Sequence, residues 1–250
     1  MKNGKNFVRV VHPDDVVQDK GKHPIEECKH LGLTTVAQHS LEADVVIIGQ
    51  DWGAVKNYKT AWSMEPIGKF EGFGKKYTQN PYLRNLSKAV GMMLEGKEVD
   101  HSYLLKENKK IFMINSMLCL KQGINDAGED DDSISIESGN YKRDWTTDCS
   151  SQFIPKILDI IQPKVVVTLG ELVSQSLIGI VERCPDDRAC MIPFKFVKTP
   201  LNLHPEHFID LVKDVQNGNP ILIKNKKRDS TFDMFPVFHC GARGIYTNRG

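Results

Sequence analysis

The feature that most constrains this chain is a repeated alternation. Short runs of β-branched and other apolar residues end abruptly at a polar residue or a glycine, and longer stretches with apolar residues at helical spacing separate them. Ala43-Asp44-Val45-Val46-Ile47-Ile48 stops at Gly49, Lys110-Ile111-Phe112-Met113-Ile114 stops at Asn115, and Lys164-Val165-Val166-Val167-Thr168-Leu169 stops at Gly170. A weaker run, Phe235-Pro236-Val237-Phe238, leads into His239. Apolar runs without alternation are those of strands buried on both faces. Between them, Leu83 to Leu94 carries Leu83, Leu86, Val90, Met93 and Leu94 at helical spacing. Phe153 to Ile161 does the same before Pro163, and Glu171 to Ile180 follows the third strand as a further helix. Strands alternating with helices imply crossover connections and a mainly parallel sheet. Ligands of such sheets sit outside the carboxyl ends of the strands. Gly49-Gln50-Asp51-Trp52-Gly53, Asn115, Gly170 and His239 are therefore expected along one rim.

A chain of 250 residues suits one domain spanning 1–250, with residues 1–42 as an N-terminal extension packed on it. Its 33 Lys and Arg against 32 Asp and Glu exclude a protein that is basic all over. They leave room for one that gathers its basic residues on a single face. No apolar stretch approaches the roughly 20 residues of a membrane span, and Met1-Lys2-Asn3-Gly4-Lys5-Asn6 leads into no signal-type apolar region. A cytoplasmic, monomeric protein with no membrane partner is the expectation. The six cysteines lack any Cys-x-x-Cys pair and suit the free thiols of a reducing compartment. Glu129-Asp130-Asp131-Asp132 reads as a solvated loop. The cluster Lys224, Lys226, Lys227 and Arg228 reads as surface loop, with phosphate contact as the alternative.

Three residues at the strand ends carry usable chemistry. Asp51, flanked by glycines, is either a helix cap or a carboxylate held at a pocket floor where Gly49 and Gly53 let a ligand approach the backbone. Asn115 offers an acceptor and two donors side by side, as reading the edge of a base requires. His239 precedes a terminal segment rich in Gly and Arg, Cys240-Gly241-Ala242-Arg243-Gly244-Ile245-Tyr246-Thr247-Asn248-Arg249-Gly250.

The order of these motifs resembles the uracil-DNA glycosylase superfamily. Val45-Val46-Ile47-Ile48-Gly49-Gln50-Asp51-Trp52-Gly53 is similar to its first motif. Ile114-Asn115-Ser116-Met117-Leu118-Cys119 looks like the Thr-Asn-Ala-Val-Lys-Cys of the iron–sulfur branch. Cys149, Phe153-Ile154 and the stretch Ile160 to Gly170 resemble that branch's next helix and strand. His239-Cys240-Gly241 stands where the family has His-Pro-Ser or His-Pro-Gly, and the similarity spans residues 43–250.

The resemblance implies a three-layer α/β/α sandwich with a central, mainly parallel four-stranded sheet. It also implies a DNA glycosylase that hydrolyses the N-glycosidic bond of a flipped uracil or other damaged pyrimidine and leaves an abasic site. Asp51 would orient water and stabilise the sugar cation, His239 would donate to the base oxygen, and Asn115 would select the pyrimidine. Gln50 would offer its backbone N–H, and Phe73 or Tyr77 would stack on the base. Four departures qualify the match. Trp52 replaces a Pro after the catalytic position, and Cys240 replaces another in the last motif. Gly53 stands where uracil-specific enzymes have a Tyr that blocks a C5 substituent. The usual Ser-Pro-Leu wedge is absent, leaving Arg243, Tyr246 and Arg249 for DNA contacts together with Ile245. The fourth departure concerns the iron–sulfur cluster. Cys28, Cys119 and Cys149 fall near three of the four cluster positions, so a structural cluster needs His23 or His30, and a vestigial site needs none. Catalysis requires no cofactor in either case. The missing wall at Gly53 favours an alternative substrate class, bulky 5-modified pyrimidines such as modified cytosine in phage DNA, with a role in anti-phage defence. A second alternative is a nucleic-acid-binding member without catalysis. Bound DNA predicts Lys and Arg concentrated on the rim that carries Asp51 and His239.

Overall fold

A strand that is apolar on both faces must be covered on both, and the second strand of this chain shows the consequence. The computed structural model describes residues 7–11, 41–50, 81–97, 99, 110–117, 120–124, 127, 129, 143–183 and 194–239. Within them lie eight strands: β1 (Phe7–Val11), β2 (Val45–Gly49), β3 (Ile111–Asn115), β4 (Leu120–Ile124), β5 (Val165–Leu169), β6 (Phe194–Lys198), β7 (Ile221–Asn225) and β8 (Ser230–Val237). The described helices are α1 (Pro81–Glu95), α2 (Arg143–Ile161), α3 (Glu171–Arg183) and α4 (Phe208–Gln216).

All five residues of β2 are buried. Val45 and Ile47 pack with Ile111, Val167 and Leu169 and with Leu86 and Val90 of α1. Val46 and Ile48 belong to a larger core on the other face, which takes Ile154 and Leu158 from α2, Leu177 and Ile178 from α3, and Leu211 and Val215 from α4. Helices thus cover both faces of the sheet.

The strand order is β3-β2-β5-β8-β7-β6. The first four are mutually parallel, and β7 runs antiparallel to both of its neighbours. The α/β class holds, but the expected four-stranded sheet is a mixed sheet of six. The two extra strands escape a search for unbroken apolar runs. Strand β7 alternates, with Ile221, Ile223 and Asn225 buried and Leu222 and Lys224 half-buried. Strand β6 is an edge strand carrying Lys195 and Lys198, the kind of charge that keeps a free edge from pairing with other chains. Strand β8 begins five residues before the expected Phe235, because its first half pairs with β7 and its second half with β5. Pro236 lies beyond the last β7 partner, Met234, where the strand is an edge on that side and a missing N–H costs no ladder bond.

A separate ribbon pairs β1 with β4 antiparallel, which ties residues 7–11 of the N-terminal extension to the chain leaving β3. Helix α2 starts ten residues before the expected Phe153 and contains Pro155. It ends at Gln162 in the left-handed region (φ 50°), followed by Pro163, a stop that proline enforces. Helix α3 has Glu171 in its first turn and Arg183 in its last, both favourable to the helix dipole.

Gly179, inside α3, supplies a stability prediction. A methyl group built there meets no atom within 4 Å. Gly179→Ala should raise stability by about 0.5–1 kcal/mol through helix propensity alone. A thermal melt in which the variant loses stability would show that this face is covered.

Candidate active site

The parallel strands β3, β2, β5 and β8 end on one edge, at Asn115, Gly49, Leu169 and Val237. Neighbouring strands are about 4.8 Å apart, so the strand ends span about 14 Å from Asn115 to the β8 terminus. The β2 and β8 ends are about 10 Å apart, with β5 between them.

The β2 end is locked to the chain leaving β3. Gly49 and Asn115 are register partners. The Ser116 N–H donates to the Gly49 carbonyl at 2.7 Å. The Gln50 carbonyl accepts twice, from the Met117 N–H at 3.0 Å and from the Ser116 hydroxyl at 3.0 Å. Ser116 and Met117 are each 1% exposed, so these bonds are shielded from water. The backbone is therefore fixed up to the residue before Asp51, and Gln50 and Asn115 stand half-buried at the edge.

The β5 and β8 ends are joined by a second set of bonds. Gly170 turns the chain from β5 into α3 at φ 95°, a conformation that glycine adopts without steric cost. Its N–H donates to the Val237 carbonyl at 2.8 Å. Its carbonyl accepts the Ser174 N–H at 3.1 Å and the Ser174 hydroxyl at 2.8 Å, and that hydroxyl also shares a hydrogen bond with the Thr168 hydroxyl at 2.8 Å. Two residues beyond Val237 stands His239, exposed, with its Cβ 3.5 Å from the position a Gly170 side chain would take.

Four of the expected site residues thus share one edge: Gly49, Gln50, Asn115 and His239. Asp51, Trp52, Gly53, Phe73, Tyr77, Arg243, Tyr246, Arg249, Cys28 and Cys119 lie outside the described residues. Cys149 lies in α2. Among the described residues no group of three or more His, Cys, Asp or Glu side chains is arranged to hold a metal ion. Sequence reading passes over Ser116, Thr168 and Ser174, which brace the edge from below. Ser116 is the one with a local clue, since it directly follows Asn115.

Of the basic cluster expected in a loop, Lys226, Lys227 and Arg228 sit in the turn between β7 and β8, while Lys224 is a residue of β7 itself; all lie at the opposite end of β8 from His239, about 25 Å away along the strand. Its charges are engaged there. Lys224 pairs with Asp229, whose carboxyl the neighbouring ammonium holds below its ordinary value. The guanidinium Nε of Arg228 lies 3.2 Å from Asp159 Oδ1, and Lys227 Nζ lies 3.7 Å from Oδ2. At the same end of the sheet Lys164 pairs with Asp44 at 2.8 Å. These residues belong to the base of the sheet and are not part of a basic rim. None of the described helices is long and apolar enough to cross a membrane. No protein-family model and no curated protein sequence matches the chain, so the functional reading rests on the rim's own residues.

Proposed function

We propose that this protein is a DNA glycosylase of the uracil-DNA glycosylase kind. In this reading its helices and sheet form a three-layer α/β/α sandwich, and the four parallel strands are the catalytic core of the mixed sheet. The supporting observation is the shared edge. Gln50, Asn115 and His239 follow three parallel strands, on a backbone pinned immediately before Asp51.

Breaking an N-glycosidic bond puts positive charge on the sugar and negative charge on the departing base. The Asp51 carboxylate is the group of the right sign for the first, and it orients the attacking water. His239 donates a hydrogen bond to the base oxygen on which charge develops, and the Gln50 N–H does so from the β2 side. Asn115, with acceptor and donor side by side, reads the pyrimidine edge. Phe73 or Tyr77 stacks on the flipped base, and Arg243, Tyr246 and Arg249 hold the DNA. Apart from the attacking water, all of this uses side chains and backbone of this chain. A cluster held by Cys28, Cys119 and Cys149 would have a structural role only.

Gly53 leaves open the side on which a C5 substituent would stand, so two substrate classes are tested in parallel. The purified protein is incubated with uracil-containing DNA and with DNA carrying hydroxymethylated or glucosylated cytosine, and released base is identified by mass. The expected result is one free base per abasic site from one of the two DNAs, and none with Asp51→Asn. Uracil release identifies a repair enzyme, and release of the bulky base alone identifies Gly53 as the opened wall. No base from either DNA rejects the glycosylase reading in favour of binding without catalysis.

A further inference from the structure

We propose that Phe208 is a positioning residue for His239, acting through Phe238 and the Gly170 turn. The inference rests on the glycosylase reading for its kinetic consequence, and on geometry alone for the seat itself.

Three consecutive residues at the β8 terminus are each held in place, Val237 and His239 beside Gly170 and Phe238 against Phe208. The Val237 carbonyl accepts the Gly170 N–H at 2.8 Å. The Phe238 ring meets the Phe208 ring edge to face, with centroids 5.7 Å apart and planes at 86°. The His239 Cβ lies 3.5 Å from the point where a Cβ on Gly170 would stand. Phe208 is buried at the first turn of α4 and belongs to the main core, so its ring is a fixed wall. An edge-to-face pair of this kind contributes beyond its buried area because the positive ring edge meets the negative ring face.

The imidazole at the rim is exposed, so the direction it takes depends in part on how firmly the backbone beneath it is held. Hydrogen-bond donation to a developing oxyanion requires the donor to be in place before the charge forms. Anchoring residue 238 in the core and residue 237 on β5 fixes the Cα of His239 from the preceding side. Gly170, at φ 95°, makes the turn beside that Cβ in a conformation that a side chain at position 170 would strain. The pair therefore confines His239 without touching the substrate.

The test combines a spectroscopic and a kinetic arm on the full chain. With ring-labelled histidine, the His239 resonance is identified among the eight histidines as the one missing in His239→Asn. Phe208→Ala is expected to move it toward the position of an unfolded-chain histidine while circular dichroism shows the fold retained. Phe208→Leu, which keeps apolar bulk, should move it less. Should the alanine variant fail to fold, the leucine variant carries the test through a smaller shift in the same direction. In base release, Phe208→Ala should lower kcat about tenfold with KM within twofold, and should cost nothing further when combined with His239→Asn. An unmoved His239 resonance in the folded variant overturns the seat whatever the activity. Equal losses from Phe208→Ala with and without His239 overturn its action through that residue. Absence of base release by the wild-type protein overturns the proposed activity, while the resonance still decides the seat.

Discussion

Asp51→Asn should lower the rate of base release by about 10²–10⁴-fold while DNA affinity stays within a few-fold of wild type. The substitution keeps size and shape and removes only the negative charge and the capacity to take a proton. If the carboxylate stabilises the sugar cation and orients water, its effect belongs to the transition state, so kcat falls and binding does not. Removing a negative charge near a phosphate backbone should even tighten binding slightly at low salt. The bonds that pin Gly49 and Gln50 are made by backbone carbonyls and Ser116, so the variant leaves them intact. Single-turnover release and equilibrium binding on the same oligonucleotide check this. Unchanged rates would remove Asp51 from the mechanism. Parallel loss of binding and rate would make it a residue that shapes the loop.

The legibility of this fold in its sequence follows how each element is buried. Strands β2 and β5 are covered on both faces and stand in the sequence as unbroken apolar runs, which leave little room for another reading. Helix α1 was equally plain, with Leu86 and Val90 one turn apart and both buried. Strands β6 and β7 were not seen. One is a lysine-bearing edge, and the other ends in Asn225, a buried polar residue that breaks the apolar pattern. Helix α4 carries Phe208, Leu211, Val212 and Val215 at clear helical spacing. A reading led by long apolar runs passes over a helix of nine residues. The first ten residues of α2 are mostly polar and follow no apolar periodicity, so the sequence places its start at Phe153.

The candidate site divides along similar lines. Gly49, Asn115 and His239 are legible because each marks the point where an apolar strand stops, and parallel strands must stop at the same edge. The residues that brace them are not legible. Nothing in the spacing of Thr168 and Ser174 announces a hydroxyl pair beneath the Gly170 turn, and nothing joins Phe208 to Phe238 until the chain is folded. The ion pairs escape the sequence for a related reason. Lys224, Lys226, Lys227 and Arg228 read as surface loop, and nothing in the sequence joins them to Asp159, some seventy residues earlier, which meets Lys227 and Arg228.

That carboxylate makes the second large prediction, an acid-dependent loss of stability. Asp159 is 5% exposed and receives the Asn225 Nδ2–H at 2.9 Å and the Arg228 Nε–H at 3.2 Å. Asn225, itself 2% exposed, also accepts the backbone N–H groups of Lys227 and Arg228, so one buried pair holds the β7–β8 turn against α2. Burial pushes the carboxyl pKa up. The hydrogen bonds from Asn225 and Arg228 and the charges of Arg228 and Lys227 outweigh that push and hold it below the ordinary 3.8. A folded-state pKa below the unfolded value means stability that is fully present above about pH 4 and is lost as pH falls through the folded value. Asp159→Ala should therefore cost about 2 kcal/mol at pH 7, chiefly from leaving the buried Asn225 amide without its acceptor. Arg228 and Lys227 are about half exposed and return to water at little cost, which keeps the figure from being larger. For a chain of this size that is about 4–8 °C in Tm. Asp159→Asn, which retains an acceptor, should cost about half as much. The gap between wild type and the alanine variant should shrink as pH is taken from 7 to below 3.8. Denaturant melts across that range decide the matter. A gap absent at pH 7 would mean that the β7–β8 turn is held by the backbone hairpin, and one that persists undiminished at low pH would mean that the side chain acts through its neutral acceptor and not through its charge.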